Sequence, residues 1–392
     1  MTIREQLEER ELEYLSSYAA KSIASRGRKR PEPQCDLRPV FQRDRDRIIH
    51  SKSFRRLKHK TQVFFSPEND HVCTRIEHVM HVESVSYTIA KYFGLNTELT
   101  KAIATGHDIG HSPFGHAGER ILSEISQKEI GENFWHERNG MEYVDKIELL
   151  QDMNQNWQNL NLTYAVRDGI ISHCGEIDEN SLRPREEYIN LYDYEYPNQY
   201  APYTWEGCVV KIADKISYLG RDIEDAITLG ILDEKLEELY KILKQKEVIN
   251  NTVIINHLIG DLCENSSPEK GLCFSEGTFK MLKEIKEFNY KYIYKAERLK
   301  PSARYFNIII NEIYSTIKKN YGKKDKSVNP EVIESFEKWL SNYWNLKRND
   351  KNKNDVIFDM KNERDFCKAI IYYISGMTDN FAIETYNKIV GF

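Results

Sequence analysis

The chain has 392 residues, 40% apolar and 30% charged, with a formal net charge of −5, an ordinary globular balance with ample material for a core. Its seven cysteines, at 35, 73, 174, 208, 263, 273 and 367, include no CxxC pair, which argues against a disulfide framework or zinc ribbon and for reduced thiols in a cytoplasmic protein. No run approaches roughly 18 apolar residues, and the charged start MTIREQLEERELEYL lacks a signal-peptide core, so neither a membrane span nor secretion is expected.

In chain order, residues 26–60 come first, with 13 Lys/Arg against 4 Asp/Glu. A positive stretch in an acidic chain reads either as a solvated surface segment or as a cationic face toward an anionic ligand. Helical periodicity follows. In HVESVSYTIAKYFGLN, Val82, Val85, Ile89 and Phe93 recur at three- and four-residue spacing and Gly94 supplies the stop. Asn96 is predicted to cap a second helix, on which Leu99, Ile103 and His107 share an inward face. Gly110 and Pro113 end that helix, which predicts His111 and His116 on a turn folding back over His107. Tyr188–Tyr203 holds six tyrosines and reads as a packed surface loop in preference to a base-stacking platform. In EGCVVKIADKISYLGRDIEDAI, an apolar stripe from Val209 to Ile223 opposes a second stripe of Asp214, Tyr218 and Asp222, a pattern that alone suits a surface helix better than a site wall. Late in the chain, NPEVIESFEKWLSNYWNLK is a helix with Pro330 in its first turn and Val332, Phe336, Trp339, Leu340 and Tyr343 on one face. Its flanks, KKNYGKKDKS and KRNDKNKND, read as exposed loops.

The chemistry concentrates in one region, because eight of the 11 histidines fall between His59 and His136. The run GHDIGHSPFGH puts His107, Asp108, His111 and His116 together, and TRIEHVMH adds His78 and His81 upstream. A metal needs ligands converging from separate elements. His78, opening one helix, and His107–Asp108, closing the next, meet that need, while His81 reads as a core or supporting residue. An imidazole and carboxylate set suits Mn, Fe, Zn or Ni.

Four motifs, FRRLKHKTQVF, TRIEH, GHDIGHSPFGHAGE and ADKISYLGRDIEDA, appear in this order, and YISGMTDNFA follows near the C-terminus. Together they resemble the HD-domain family, and within it the deoxyguanosine-triphosphate triphosphohydrolase-like proteins. The likeness covers roughly residues 18 to 230; about 236 to 365 matches loosely. The resemblance implies an all-α HD-domain metal-dependent phosphohydrolase fold with additional C-terminal helices. A basic segment 1–60 would pack on a catalytic core 61–235, with 236–392 a helical part of the same unit. It implies His78, His107, Asp108 and Asp214 as ligands of a divalent ion, Mg2+ or Mn2+ first, with Fe, Ni and Zn as alternatives. The implied reaction cleaves a deoxynucleoside triphosphate to the nucleoside and intact inorganic triphosphate, the metal polarising the α-phosphate. Phosphate would meet Arg75, Lys215 and Arg55 or Arg56, since Arg pairs bidentately with phosphate. His116 with Glu119 takes the place of the family's catalytic pair, with His111 and His136 around the same phosphate. Gln62 lies where relatives contact the sugar, and Tyr218 and Asp222 where they contact phosphate and ribose.

This chain departs from the family pattern at Cys73, where a basic residue is common, at His81, where many relatives have glutamate, and at Glu137 and Asn139 in FWHERNG. Alternatives to the triphosphohydrolase are another HD phosphohydrolase acting on nucleotides or phosphodiesters, or a nucleotide-sensing or nucleic-acid-binding module with vestigial hydrolysis. A homo-oligomer, and a regulatory dNTP or single-stranded DNA as further partners, are also expected.

Overall fold

The helical periodicity of residues 75–130 becomes three successive helices in a computed structural model that describes residues 1–65, 71–152, 154–174, 179–243, 251–323, 329–344 and 348–391. Those residues form sixteen α-helices and one two-stranded ribbon. The N-terminal three are α1 (Ile3–Tyr14), α2 (Val40–His50) and α3 (Lys52–Arg56). The central set is α4 (Arg75–Tyr92), α5 (Thr97–Gly106), α6 (Gly115–Ile130), α7 (His136–Glu142), α8 (Tyr164–Ser172) and α9 (Trp205–Thr228). After these come α10 (Leu236–Leu243), α11 (Asn251–Asn265), α12 (Glu276–Asn289), α13 (Lys300–Lys318), α14 (Pro330–Leu340), α15 (Glu363–Ser375) and α16 (Asp379–Val390). The ribbon, β1 (Leu150–Gln151) and β2 (Trp157–Gln158), is antiparallel with Leu150 opposite Gln158. The all-α class is therefore the observed one.

Local chemistry sets the helix ends around the histidine region. The Thr74 N–H donates to Glu77 Oε2 at 2.7 Å in a capping box that starts α4. Asn96 Oδ1 accepts from the Glu98 and Leu99 N–H groups and starts α5. Phe114 and Gly115 then take left-handed conformations, φ 63° and 58°, so the chain reverses sharply before α6. The Phe114 N–H donates to Asp379 Oδ1 at 2.8 Å, while Thr61 binds the other oxygen of the same carboxylate. Asp379, from the C-terminal motif, thus ties both sides of the turn to α16. His111 lies on the turn as predicted, but His116 lies in the first turn of α6, because the helix restarts at Gly115.

Two apolar clusters flank this region. One packs α2, α4, α5, α8 and α9 with α11 and α12, through Ile48, Val82, Leu99, Ile103, Val209, Ile216, Leu258 and Ile285. The other packs α6 with α13–α16 through Leu122, Ile310, Phe336 and Ile370. Each fully buried aliphatic side chain stabilises the fold by about 1.5–3 kcal/mol relative to exposure. Helix α9 is no surface helix: Val209, Ile212, Ile216, Leu219 and Ile223 are buried against α4, α5 and α8.

The basic segment 26–60 is divided, with Arg26, Lys29, Arg38, Lys52, Arg55 and Lys58 exposed and the other cations half-buried or buried. Arg28, Arg43 and Arg47 pair with Glu32, Arg28 also with Asp44, Arg45 with Glu83, Arg38 with Asp46 and Arg56 with Glu148. Six of the 13 Lys/Arg that suggested an anionic ligand thus neutralise carboxylates of the protein itself. The tyrosine segment packs as predicted, with Tyr164, Tyr188 and Tyr203 in mutual ring contact and Arg26 over Tyr188 at 3.8 Å. The predicted face of α14 is inward, with Val332, Phe336, Leu340 and Tyr343 buried. Its second flank is not a simple exposed loop, because Asn352 and Asn354 are buried and the Lys353 N–H donates to Trp157 O. Parts of both flanks, 324–328 and 345–347, lie outside the described residues.

Candidate active site

A cleft of about 700 Å³ opens between the two apolar clusters. At one end α4, the end of α5 and α9 deliver His78, His107–Asp108 and Asp214. His78 Nε2 lies 2.9 Å from Asp214 Oδ1 and 3.9 Å from Asp108 Oδ2. His107 Nε2 lies 3.5 Å from Asp108 Oδ1 and 3.8 Å from Asp214 Oδ1. His107 Nδ1 donates to the Ala104 carbonyl at 2.7 Å, which fixes the tautomer and leaves Nε2 as a lone pair. That Nε2 is buried with no hydrogen-bond partner. A buried orphan acceptor facing two carboxylates is costly unless a cation meets it, so the residues fit a divalent ion.

The electrostatics agree. Burial pushes Asp108 up, but His111, His107 and Arg75 outweigh it and hold the carboxyl well below the usual range. Asp214 is lowered in the same way, burial being overcome by its hydrogen bond to His78 and by the charges of His78, His107 and His173. Arg75 is 1% exposed, and its three guanidinium nitrogens donate to Thr61 O, Asp108 Oδ2 and Gln62 O. It therefore orients the Asp108 carboxylate.

Beside this set lie the other imidazoles. His111 is buried, with Nδ1 3.0 Å from Asp108, and its ring stacks on His136 at 3.7 Å. His136 opens α7 and holds Glu119 of α6 through both its backbone N–H (2.8 Å) and Nδ1 (3.0 Å). Burial lowers the His136 imidazole, yet Glu137 and Glu119 reverse that and raise it well above its ordinary value. His116 Nδ1 is 3.3 Å from Glu119, with the ring 68% exposed toward the cleft mouth. Gln62, Tyr218 and Asp222 line the cleft as predicted, and Gln62 Oε1 is buried without a hydrogen bond.

Three predicted phosphate contacts lie off the cleft. Arg55 is exposed on α3, and Arg56 is taken by Glu148 and Ser53. Lys215 follows Asp214 by one residue, about 100° around α9, and lines a neighbouring hollow with Phe279 and Lys283. Conversely, several lining residues went unforeseen. His173 and Cys174 stand at the end of α8, where the spacing Val166, Ile170, His173 was a signal that the histidine continues an inward stripe. Tyr290, Tyr294, Lys295, Arg298 and Phe306 line the far end, and the Tyr294 hydroxyl donates to Asp222 Oδ2 at 2.5 Å. Burial raises Asp222 to about 6. Phe306 stacks on Phe114 at 4.2 Å, giving this end an aromatic wall.

The site's residues fall within recognised family patterns. The HD domain matches residues 75–219, and the phosphohydrolase-associated domain matches residues 272–388. A deoxyguanosinetriphosphate triphosphohydrolase-like protein of Desulfatibacillum aliphaticivorans is 35% identical, covering 99% of this chain and 98% of its own length. Proteins of the same description from Caldanaerobacter subterraneus subsp. tengcongensis and Clostridium tetani are 34% and 32% identical, each over 99% of this chain and 96% of the relative. No helix among the described residues is long and apolar enough to cross a membrane. With its buried histidine and aspartate set inside the matched segment and full-length relatives of one description, the chain belongs to the HD-domain phosphohydrolases, in the deoxyguanosinetriphosphate triphosphohydrolase-like family.

Proposed function

We propose that the protein hydrolyses deoxynucleoside triphosphates to deoxynucleoside and inorganic triphosphate. The observation that carries this reading is one cleft with His78, His107, Asp108 and Asp214 clustered in it and an aromatic wall with Lys295 and Arg298 also lining it. Such a cleft offers a nucleotide a place for phosphate, sugar and base in one line. His78, His107, Asp108 and Asp214 would hold a divalent ion, which when bound would supply Lewis acidity at the α-phosphate. Water adds to that phosphorus, the bond from phosphorus to the 5′-oxygen breaks, and the leaving oxygen takes a proton.

The protein's own groups serve the remaining steps. His116 and His136, both on Glu119, are the proton donors within reach of the cleft, and Glu137 and Glu119 favour the protonated form of His136. Gln62 and the Asp222–Tyr294 pair face the sugar, their polar atoms set to distinguish deoxyribose from ribose. Mg2+ and Mn2+ head the list of metals, and the base preference rests with the wall around Phe306.

The test is to incubate each dNTP and rNTP with Mg2+, Mn2+ and other divalent ions and to identify the products. Deoxynucleoside and tripolyphosphate from dNTPs, with slower turnover of rNTPs, are expected. Pyrophosphate or orthophosphate as the first phosphorus product overturns the reading.

A further inference from the structure

The inner end of the cleft holds a second group of donors that the proposed reaction does not use as a set. His136, His173 and Cys174 each present one donor atom, and the three lie within 4.8 Å of one another. A tetrahedral zinc with bonds of about 2.0–2.3 Å separates its ligands by roughly 3.3–3.8 Å, so small side-chain rotations close the set. His173 Nδ1 donates to Ile170 O at 2.7 Å, leaving Nε2 free to coordinate. His136 commits Nδ1 to Glu119, which likewise leaves Nε2.

Glu137 adds an independent sign. It is 2% exposed, and its Oε2, 3.4 Å from His136 Nδ1, is buried without a hydrogen bond of good geometry. This second buried carboxylate beside His136 and Cys174 favours positive charge at the donor cluster, which a bound cation would supply. Lys211 holds the Cys174 and Ser172 carbonyls and Asn198 Oδ1, so the cysteine backbone is anchored. Burial first, then Glu137, raise the Cys174 thiol to about 11, a protonation that a bound metal reverses.

This set differs in kind from its neighbour. The ligands His78, His107, Asp108 and Asp214 offer nitrogen and oxygen, whereas Cys174 adds sulfur and selects softer ions. We propose that Cys174, His136 and His173 form a second cation site, specific for soft divalent ions such as Zn2+, whose filling occupies His136 Nε2 and so takes the proton that this imidazole would donate. Excess zinc then inhibits the protein by removing a group from the proton-donor pair.

The test uses the full-length protein preloaded with Mn2+ and titrated with Cd2+ or Co2+. A thiolate-to-metal charge-transfer band should grow to about one equivalent per chain. It should vanish in Cys174→Ser and persist in Cys73→Ser, which removes another buried thiol. His173→Asn keeps the thiol and should weaken the titration by about tenfold or more, so the proposal stays testable if Cys174→Ser does not fold. No band in the parent protein, or the same band and midpoint in Cys174→Ser or His173→Asn, overturns the site. The readout is a spectrum, so its failure is separable from any failure of the substrate reading.

Discussion

The Nδ1–H of His136 donates to Glu119 at 3.0 Å from a buried ring, and the same carboxylate reaches His116 at 3.3 Å. One glutamate therefore orients two imidazoles, one enclosed and one at the cleft mouth. His116→Ala should keep metal content and dNTP binding while kcat falls by about 10²–10⁴-fold, the usual worth of a positioned general acid. Glu119→Gln should fall at least as far, since both rings lose their partner. Parent-like turnover in His116→Ala would pass the proton-donor role to His136 or His111, and loss of metal would remove the assignment.

Asp214 and His107 answer a different question. Asp214→Ala leaves His78 without its 2.9 Å partner, and His107→Ala removes the orphaned Nε2. Each variant should lose bound divalent metal, by elemental analysis, and turnover together, with the helical circular dichroism retained. Full occupancy with normal turnover in Asp214→Ala takes that residue out of the site.

Gly110 is fixed by contact. A Cβ there would meet His136 O at 2.1 Å and the Gly140 N at 2.2 Å, both backbone atoms that have no room to give. Gly110→Ala should separate the histidine turn from α7 and destabilise the fold by more than about 3 kcal/mol, at the upper end for point changes. Denaturant unfolding measures it; a loss under about 1 kcal/mol would mean that α7 moves freely relative to the turn.

Glu206 sets a pH dependence away from the metal set. Its Oε1 accepts the Ala20 and Asn96 N–H groups, and burial raises the carboxyl from 4.5 to about 7. The folded state thus holds a proton that the unfolded chain releases, so this share of stability is full below about pH 4.5 and lost as pH rises through 7. The shift corresponds to up to about 3 kcal/mol at pH 8. Glu206→Gln keeps the accepting oxygen and stays neutral, so its thermal midpoint should decline less between pH 5 and 8 than the parent's. Parallel curves for the two proteins would show that Glu206 ionises without cost.

The order of motifs in the chain carried the family resemblance, and with it the helical class and the proposed ligand set of His78, His107, Asp108 and Asp214. His107 falls four residues after Ile103, so its inward direction follows from the helix period, whereas the Asp214 stripe alone read as a surface face and became a cleft wall only when α9 packed inward. Which charges face the substrate depends on contacts between distant segments, and there local reading failed. Arg56 is claimed by Glu148, Arg45 by Glu83, Arg28 by Asp44 and Arg47 by Glu32, while the rotation of α9 turns Lys215 away, none of it visible in a window of neighbours. The far wall of the cleft came only from tertiary structure. Tyr294 and Phe306 lie on a loosely matching stretch, and they acquire meaning by meeting Asp222 and Phe114, 72 and 192 residues earlier in the chain. Asp379 shows the same division: its motif was legible, but its two hydrogen bonds to Thr61 and Phe114, more than 260 residues earlier, exist because the chain's end packs back on the histidine turn.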